Sequence, residues 1–530
     1  MLFTEVVAAS TEVGQTRART AKIETLARLL RGADAADVRP VVAWLSGTLL
    51  QERLGTGWRG VAKIVDQQPP AADPSLTVAE VSSAFDELAG TAGAGSVARR
   101  SELLTALFGR ATAEERRLLI GLITGEVRHG ALAGVMTDAV ARATGVPLAT
   151  VRRAAMLSGS LPETAAAALS GGEDALAGFG LEVLRGVSPM LASPAADLPA
   201  ALADLGAEVS VEFKLDGARI QVHRDGDAVR VYTRTLRDIT AAVPEIVAVA
   251  LALPCTSVVL DGESLALTDA GRPRPFQETM SRFGSTESGT DESSVLRPFF
   301  FDCLHLDGRD LLDEPLSVRL EALDRVAGEL RIPALTRPSA EEAATHLAAA
   351  LAAGHEGVMV KALDSPYAAG RRGRAWQKVK QSYTLDLVVL GAEWGYGRRT
   401  GMLSNLHLGA RDPDGGEPIM VGKTFKGLTD ALLRWQTEEF PKHQRSETLG
   451  ADSGADHTGP ARSAPGAHRD EHTVYLQPEI VVEIELDGVQ RSRRYPGGVA
   501  LRFARVLRYR PDKTAAEADT IDAVRALLPG

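Results

Sequence analysis

The chain is poor in cysteine, in aromatic residues and in uninterrupted apolar stretches. Only Cys255 and Cys303 occur in 530 residues, which excludes a disulfide scaffold and any four-cysteine zinc module. Both stand in apolar, strand-like runs, so buried free thiols in a reducing compartment are expected. Aromatics make up 5% of the chain, so the core should be aliphatic and partly helical. No apolar run approaches the roughly 18 residues of a membrane span. The N-terminal Met1-Leu-Phe-Thr-Glu-Val-Val7 lacks the basic flank and apolar core of a signal peptide. Positive charge is not in excess either. The formal net charge is −10, so composition gives no support for nucleic-acid binding, although a local basic patch on an acidic chain would still hold phosphates. No Gly-x-x-x-x-Gly-Lys-Ser/Thr run precedes a helix, no Gly-x-Ser-x-Gly elbow is present, and no Cys/His ligand set occurs. Ordinary P-loop enzymes, serine hydrolases and zinc hydrolases find no support.

What is present divides the chain into three parts, the number its length suggests. Residues 1–200 read as helical: Ile23, Leu26, Leu29 and Leu30 recur at helical spacing, as do Leu118, Leu119, Leu122 and Ile123. In this part Gly125-Glu-Val-Arg-His-Gly130 joins Arg128 to glycines that let a backbone approach. Arg152 and Arg153 follow a helix start at Val146-Pro147. Taken by themselves these positions read first as the solvated surface of a helical bundle, with a grip on phosphates as the alternative. From Ser188 onward the pattern alternates. Residues 201–384 carry strands at Val211–Leu215, Val258–Ser264, Arg297–Asp302, His355–Lys361 and Trp376–Lys380, with a hairpin over Arg219–Arg234. Residues 385–530 read as short strands with glycine turns, the pattern of a small β-barrel. A non-periodic stretch at 442–472, rich in Gly, Ala, Ser, Asp and His, is expected to be a disordered insertion in it. The expected fold is therefore multidomain α+β.

The chemistry gathers around Val211-Glu-Phe-Lys-Leu-Asp-Gly-Ala-Arg219. Alternation puts Glu212, Lys214 and Asp216 on one face of a strand and Val211, Phe213 and Leu215 on the other. A lysine amine is a nucleophile only when deprotonated. Nearby cations and desolvation favour that form, whereas flanking carboxylates oppose it. The arrangement makes sense if the site also gathers cations or a metal; otherwise it is a salt-bridged surface strand. Arg219, Arg234, Lys361, Lys378 and Lys380 offer positive charge, and Asp216, Glu263 and Glu356 offer oxygen ligands for a hard cation. Phe301 offers a flat face for a base. Nucleophile, metal, cationic clamp and base platform are the parts needed to attack a phosphoryl group. Late in the chain, Leu501–Lys513 interleaves five basic residues with Phe503 and Tyr509, either a solvated charged strand or a phosphate contact.

Lys214-Leu-Asp-Gly-Ala-Arg219 matches the Lys-x-Asp-Gly-x-Arg signature of covalent nucleotidyltransferases. Thr233-Arg-Thr, Asp261-Gly-Glu, the Phe301 strand, Glu356-Gly-Val-Met-Val-Lys361, Lys378-Val-Lys380 and the terminal Arg-rich run follow in that superfamily's order. The whole chain resembles an ATP-dependent DNA ligase of the archaeal and actinobacterial type. The resemblance implies a helical DNA-binding domain (1–200), an adenylation domain (201–384) and an OB-fold domain (385–530). It implies nick sealing in duplex DNA, in replication, repair and recombination, through a lysyl-AMP on Lys214 and a DNA-adenylate. ATP is the substrate, and Mg²⁺ (or Mn²⁺) is held by Glu263 and Glu356. Glu212 would lie beside the adenine and Phe301 would stack on it. Arg219, Arg234, Glu263, Arg372, Lys378 and Lys380 would contact the nucleotide, and Asp216 would aid the later steps. Arg128, Gly130, Arg152, Arg505 and Arg508 would meet DNA. The Arg502–Lys513 run would close over the triphosphate about a linker near Ser382–Leu385. A cytoplasmic, nucleoid-associated monomer that encircles DNA is implied, with no membrane contact. An RNA ligase or capping-type enzyme, or a non-catalytic DNA-binding scaffold, are the alternatives.

Overall fold

The fold is described from a computed structural model, which covers residues 1–51, 54–65, 68–127, 133–268, 274, 296–368, 372–395, 399–445 and 472–528. The chain divides into two compact units, Met1–Val379 and Lys380–Gly530. No helix among the described residues is long and apolar enough to cross a membrane.

The first unit begins with helices: α1 (Phe3–Gln15), α2 (Arg19–Arg31), α3 (Val38–Leu45), α4 (Trp58–Val65), α5 (Val78–Gly90), α6 (Ser96–Arg110), α7 (Ala113–Thr124), α8 (Ala133–Thr144), α9 (Leu148–Ser158) and α10 (Leu161–Ala177). Their starts are written locally. Thr77 with Glu80 and Thr112 with Glu115 form capping boxes, so orphan amide protons at α5 and α7 are satisfied by side chains. The apolar spacing closes on one core, in which Trp44 packs edge-on against Phe3 and Phe85 at 5.7 and 5.9 Å.

The same unit continues with β1 (Leu191–Pro194), α11 (Leu198–Leu205), β2 (Val209–Lys214), β3 (Ala218–Asp225), β4 (Ala228–Thr233), α12 (Pro244–Ala252), β5 (Ser257–Ala266), β6 (Leu296–Leu306), β7 (Arg309–Asp310), α13 (Leu316–Ala327), β8 (Ala334–Thr336), α14 (Ala340–Ala352), β9 (Gly357–Ala362) and β10 (Arg372–Lys380). They build two five-stranded sheets, β1-β10-β9-β2-β8 and β4-β3-β5-β6-β7. The expected hairpin is β3–β4, turning at Gly226 with φ 56. Val209, Val211, Val358 and Val360 form one apolar face of the first sheet, packed on Leu198, Ala201, Ala343 and Ala350 of α11 and α14. The opposite face of β2 and β9 is left for polar side chains.

A strap from Leu184 to Met190 ties the helices to the second sheet. The Leu184 amide donates to His223 Nδ1 (3.2 Å), and the Val187 amide donates to Gln221 Oε1 (2.7 Å). His223 must be neutral to accept there. Burial, with His305 adding to it, lowers its pKa to about 3. The unfolded chain binds this proton more readily, so stability is full above the usual imidazole range and falls as pH drops from about 6.5 towards 3. Between pH 7 and pH 5 this costs about 2 kcal/mol. Urea unfolding at the two pH values should show that loss, and the difference should shrink in His223→Gln.

Of the cysteines, Cys303 is buried in β6, as expected. Cys255 is only half-buried and lies between α12 and β5, because its apolar neighbours end the helix rather than form a strand.

The second unit contains β11 (Tyr383–Trp394), β12 (Leu403–Ala410), β13 (Ile419–Thr424), α15 (Asp430–Glu439), β14 (Thr473–Tyr475), β15 (Val481–Leu486), β16 (Gly488–Arg491), β17 (Val499–Arg502), β18 (Arg505–Tyr509) and α16 (Ile521–Arg525). Pairing runs β13-β12-β11-β15-β18, with β14 also on β11 and a separate β16–β17 pair. Among the described residues this path does not close into a ring, and β16 and β17 form a pair of their own. Of the 442–472 insertion, residues 446–471 lie outside the described residues.

Candidate active site

The antiparallel pairing of β2 with β9 sets Lys214 opposite Gly357, and the Glu356 amide donates to the Lys214 carbonyl at 3.0 Å. That register delivers Glu356 to the lysine. Lys214 Nζ lies 2.5 Å from Glu356 Oε2, with the two side chains 21% and 15% exposed. The partner of Lys214 is thus a residue more than 140 positions away in sequence, not its strand neighbours. Asp216 lies half-buried just beyond β2. Gly217 follows because nothing larger fits: a Cβ there would lie 2.4 Å from the Ser264 carbonyl oxygen and 2.9 Å from Glu263 Cγ. Gly217→Ala is expected to cost about 1–3 kcal/mol and to shift the loop between Lys214 and Arg219. A thermal melt combined with ATP-labelling of the protein checks both effects.

Across the cleft, β3 pairs with β5 so that Arg219 faces Glu263 and Gln221 faces Asp261. The Arg219 guanidinium takes Asp261 in a fork, Nε to Oδ1 at 3.0 Å and Nη2 to Oδ2 at 2.7 Å, and also donates to the Met190 carbonyl. Tyr367 donates its hydroxyl to Asp261 at 2.6 Å and accepts from the Met190 amide. Burial opposes the Arg219 charge, but Asp261, Tyr367 and Glu263 outweigh it and push the pKa up. Arg219 is thus a fixed cation with a fixed direction. Burial raises the Glu263 pKa to about 7. Lys214 and Arg219 pull it back, while Asp261 and Glu356 add to the rise.

Phe301 owes its position to an irregularity. Asp261 pairs with Asp302 and Gly262 with Phe300, so Phe301 is the extra residue of a bulge in β6. Lys361 Nζ lies 4.5 Å from the Phe301 ring centre and 4.2 Å from that of Trp376. Arg219 lies 5.4 Å from the same Phe301 ring.

Two expectations for β2 need correction. Its polar face is not a solvated surface, and Glu212 does not flank Lys214 electrostatically. Glu212 is 2% exposed, lies 2.5 Å from Lys361 Nζ and accepts from Ser210 Oγ at 3.1 Å. The cause is that β2 lies inside its sheet between β9 and β8, so an alternating strand can be covered on both faces. Lys361 is accordingly not a spare cation.

Lys378 is half-buried in β10. Lys380 belongs to the second unit, where it pairs with Asp487 at 3.1 Å. Arg234 is exposed just past β4. Arg372 opens β10 opposite Leu191; its side chain, like Arg128 and Gly130, lies outside the described residues. Arg152 is 23% exposed and bound to Asp138, which also takes Arg19. Arg505 and Arg508 of β18 each meet a glutamate of β15, Glu485 at 3.7 Å and Glu483 at 2.6 Å. Sequence reasoning passed over Asp261 as a site residue, though it shares a strand face with Glu263 at the i, i+2 spacing. It had no signal for Tyr367 or Trp376.

A half-buried lysine, a fixed arginine, two carboxylates and an aromatic ring are parts that suit an enzyme acting on phosphoryl groups. The comparisons narrow that class. Residues 189–380 match the model of the ATP dependent DNA ligase domain, residues 399–513 that of the ATP dependent DNA ligase C terminal region, and residues 58–141 that of the DNA ligase N terminus. A "Probable DNA ligase" of Rhodococcus opacus (strain B4) is 65% identical over 530 residues, covering 100% of both chains. Another, of Nocardia farcinica (strain IFM 10152), is 62% identical over 548 residues with the same full coverage. The solved structure named Pmar-Lig_PreS3 is 16% identical with a TM-score of 0.60, over 95% of this chain and 99% of that one, which shows a shared fold. The chain belongs to the ATP-dependent DNA ligases. It joins DNA ends by forming phosphodiester bonds at the expense of ATP.

Proposed function

We propose that Lys214 is the amine that attacks the α-phosphate of ATP, forming a phosphoramide to AMP and expelling pyrophosphate. The AMP then passes to the 5′-phosphate of a nick, and the 3′-hydroxyl displaces it. The observation that carries this reading is the Lys214–Glu356 pair at 2.5 Å, across the cleft from Arg219 and Glu263. Glu356 is placed to accept the proton that the ammonium must lose before it can attack. Arg219, locked by Asp261, presents positive charge to the nucleotide and later to the nick phosphate, and the exposed Arg234 adds to it. Phe301 stacks on the adenine and Glu212 accepts from it. Lys378, Lys380 and Arg372 hold phosphates, and Asp216 supports the later transfers. Peptide mapping by mass spectrometry after incubation with ATP tests this. An AMP adduct on another residue, or transfer from GTP in preference to ATP, would sink the assignment.

Glu263 and Glu356 suit a hard divalent ion, Mg²⁺ or Mn²⁺. The sign of that fit is Glu263 itself: held near 7 by burial and by facing carboxylates, it is relieved by a proton or by a cation in the proton's place. Among the described residues no group of three acidic, His or Cys side chains is placed to hold a metal ion by itself, so other ligands would be needed beside Glu263 and Glu356. Held there, such a cation would supply charge neutralisation for the triphosphate. Because Glu263 must shed its proton to act as a ligand, the Mg²⁺ needed for half-maximal labelling of Lys214 should rise as pH falls from 8 to 6. That slope should flatten in Glu263→Gln.

We further propose the division into a helical DNA-binding domain, an adenylation domain and an OB-fold domain. The protein would act as a cytoplasmic monomer that wraps nicked duplex, with the Arg502–Lys513 run closing for the first step. Arg128, Gly130 and Arg152 of the helical region, and Arg505 and Arg508, are DNA-facing in this reading. The glutamates that already hold Arg505 and Arg508 make their contribution fractional.

A further inference from the structure

The second unit carries two arginine-rich stretches, and their charges have different fates. Along β18 each cation is answered. Arg505 and Arg508 have Glu485 and Glu483, Arg510 has Asp386 at 3.0 Å and Asp512 at 2.6 Å, and Lys513 has Asp386 at 2.6 Å. The turn between β16 and β17 is the reverse. Arg491, Arg493 and Arg494 are all exposed, and no carboxylate among the described residues pairs with any of them. Arg494 lies over the Tyr495 ring at 5.7 Å.

The turn holds these charges on a fixed frame. The Ser492 amide donates to the Gly498 carbonyl at 2.9 Å, the Gly498 amide to the Tyr495 carbonyl at 3.0 Å, and the Arg494 amide to Ser492 Oγ at 3.2 Å. Behind the turn, Arg525 of α16 donates to the Gly497 carbonyl at 3.3 and 3.2 Å. Gly497 packs so closely that a Cβ would lie 2.9 Å from Ile521 Cδ1. Three guanidinium groups within four residues repel one another unless anions lie between them. A frame that keeps them together therefore favours a polyanion at low ordering cost. The whole chain, at −10, repels DNA at long range, so binding must come from local charge that no acid cancels.

We propose that the Arg491–Arg494 turn is the principal grip of the second unit on the sugar-phosphate backbone of duplex DNA. The assignment rests on the ligase reading above. It predicts sequence-independent binding, because guanidinium contacts to phosphates carry no base information.

The test uses the full chain and a nicked duplex, with binding followed by fluorescence anisotropy across a salt series. In R491Q/R493Q/R494Q the slope of log affinity against log salt should fall by about 2–3, and affinity at low salt should drop at least about tenfold. The charge-keeping R491K/R493K/R494K should retain the slope. E483Q/R508Q, which deletes a paired cation with its acid, should lose less than about one unit. An unchanged slope in the triple glutamine variant overturns the proposal, as does an equal loss in E483Q/R508Q. Labelling by ATP without DNA reads the nucleotide chemistry separately. A chain that takes no label while the triple variant still loses slope would keep the grip and lose the Lys214 reading.

Discussion

Lys214→Ala takes up no label from ATP, a loss of at least about a thousandfold that reaches the floor of the assay. The size follows from chemistry. No neighbouring group replaces the amine: Arg219 stays protonated, and a carboxylate such as Asp216 or Glu356 would form a mixed anhydride that water hydrolyses. Lys214→Arg separates charge from nucleophilicity. It keeps a cation for Glu356 yet takes no label, because a guanidinium does not deprotonate. Both variants should fold, since the Lys214 side chain is 21% exposed and on the cleft side of β2. Both should still seal a nick supplied with AMP already on its 5′-phosphate, because that substrate bypasses the lysine. Denaturing gels with labelled ATP, and a second gel with pre-adenylated DNA, separate these outcomes. Survival of alkali-stable, acid-labile label in Lys214→Ala, or loss of sealing on the pre-adenylated nick, contradicts the role given to this residue.

The lysine proposed as nucleophile was legible in the sequence because a strand alternates. Val211 and Leu215 read as apolar, Lys214 as polar, and Gly217 as a close approach, and each is so placed. Glu356 was legible as a carboxylate at the mouth of a strand, and the register of β9 against β2 then brought it to Lys214. The roles came from the resemblance; the geometry did not. Phe301 leaves its ladder through a bulge, and nothing in a run of three phenylalanines announces which one is the extra residue. Arg219 reads as a free cation until Asp261 and Tyr367 arrive from 42 and 148 residues away. The charge of Arg502–Lys513 reads as a patch because the acids that answer it sit on β11 and β15, across the sheet. In each case the missing information is a long-range partner, which alternation and spacing do not encode.

The same kind of partner sets the second large effect, at Lys361. Its side chain is 2% exposed, with Nζ 2.5 Å from Glu212 and caged by Phe301 and Trp376. Lys361→Met removes the cation and leaves a buried carboxylate with Ser210 as its remaining hydrogen-bond donor. Breaking a buried pair from one side costs about 3–5 kcal/mol, because the surviving charge has lost its compensation. Glu212→Gln alone leaves an ammonium between two rings, which offset part of its desolvation, so its cost should be smaller. The double variant E212Q/K361M carries no buried charge and should recover most of the stability lost in Lys361→Met, a coupling that a double-mutant cycle measures. Function should not recover with it. If Glu212 accepts from the adenine amino group, the pair also fixes the direction of that acceptor. Phe301, whose carbonyl accepts a hydrogen bond from Lys361 Nζ at 3.3 Å, is fixed with it. The double variant should therefore melt near the parent temperature, yet show a raised KM for ATP and weaker preference for ATP over GTP, by about tenfold or more. A double variant that melts as low as Lys361→Met would deny the charge argument. One that keeps full ATP preference would deny that this buried pair orients the base.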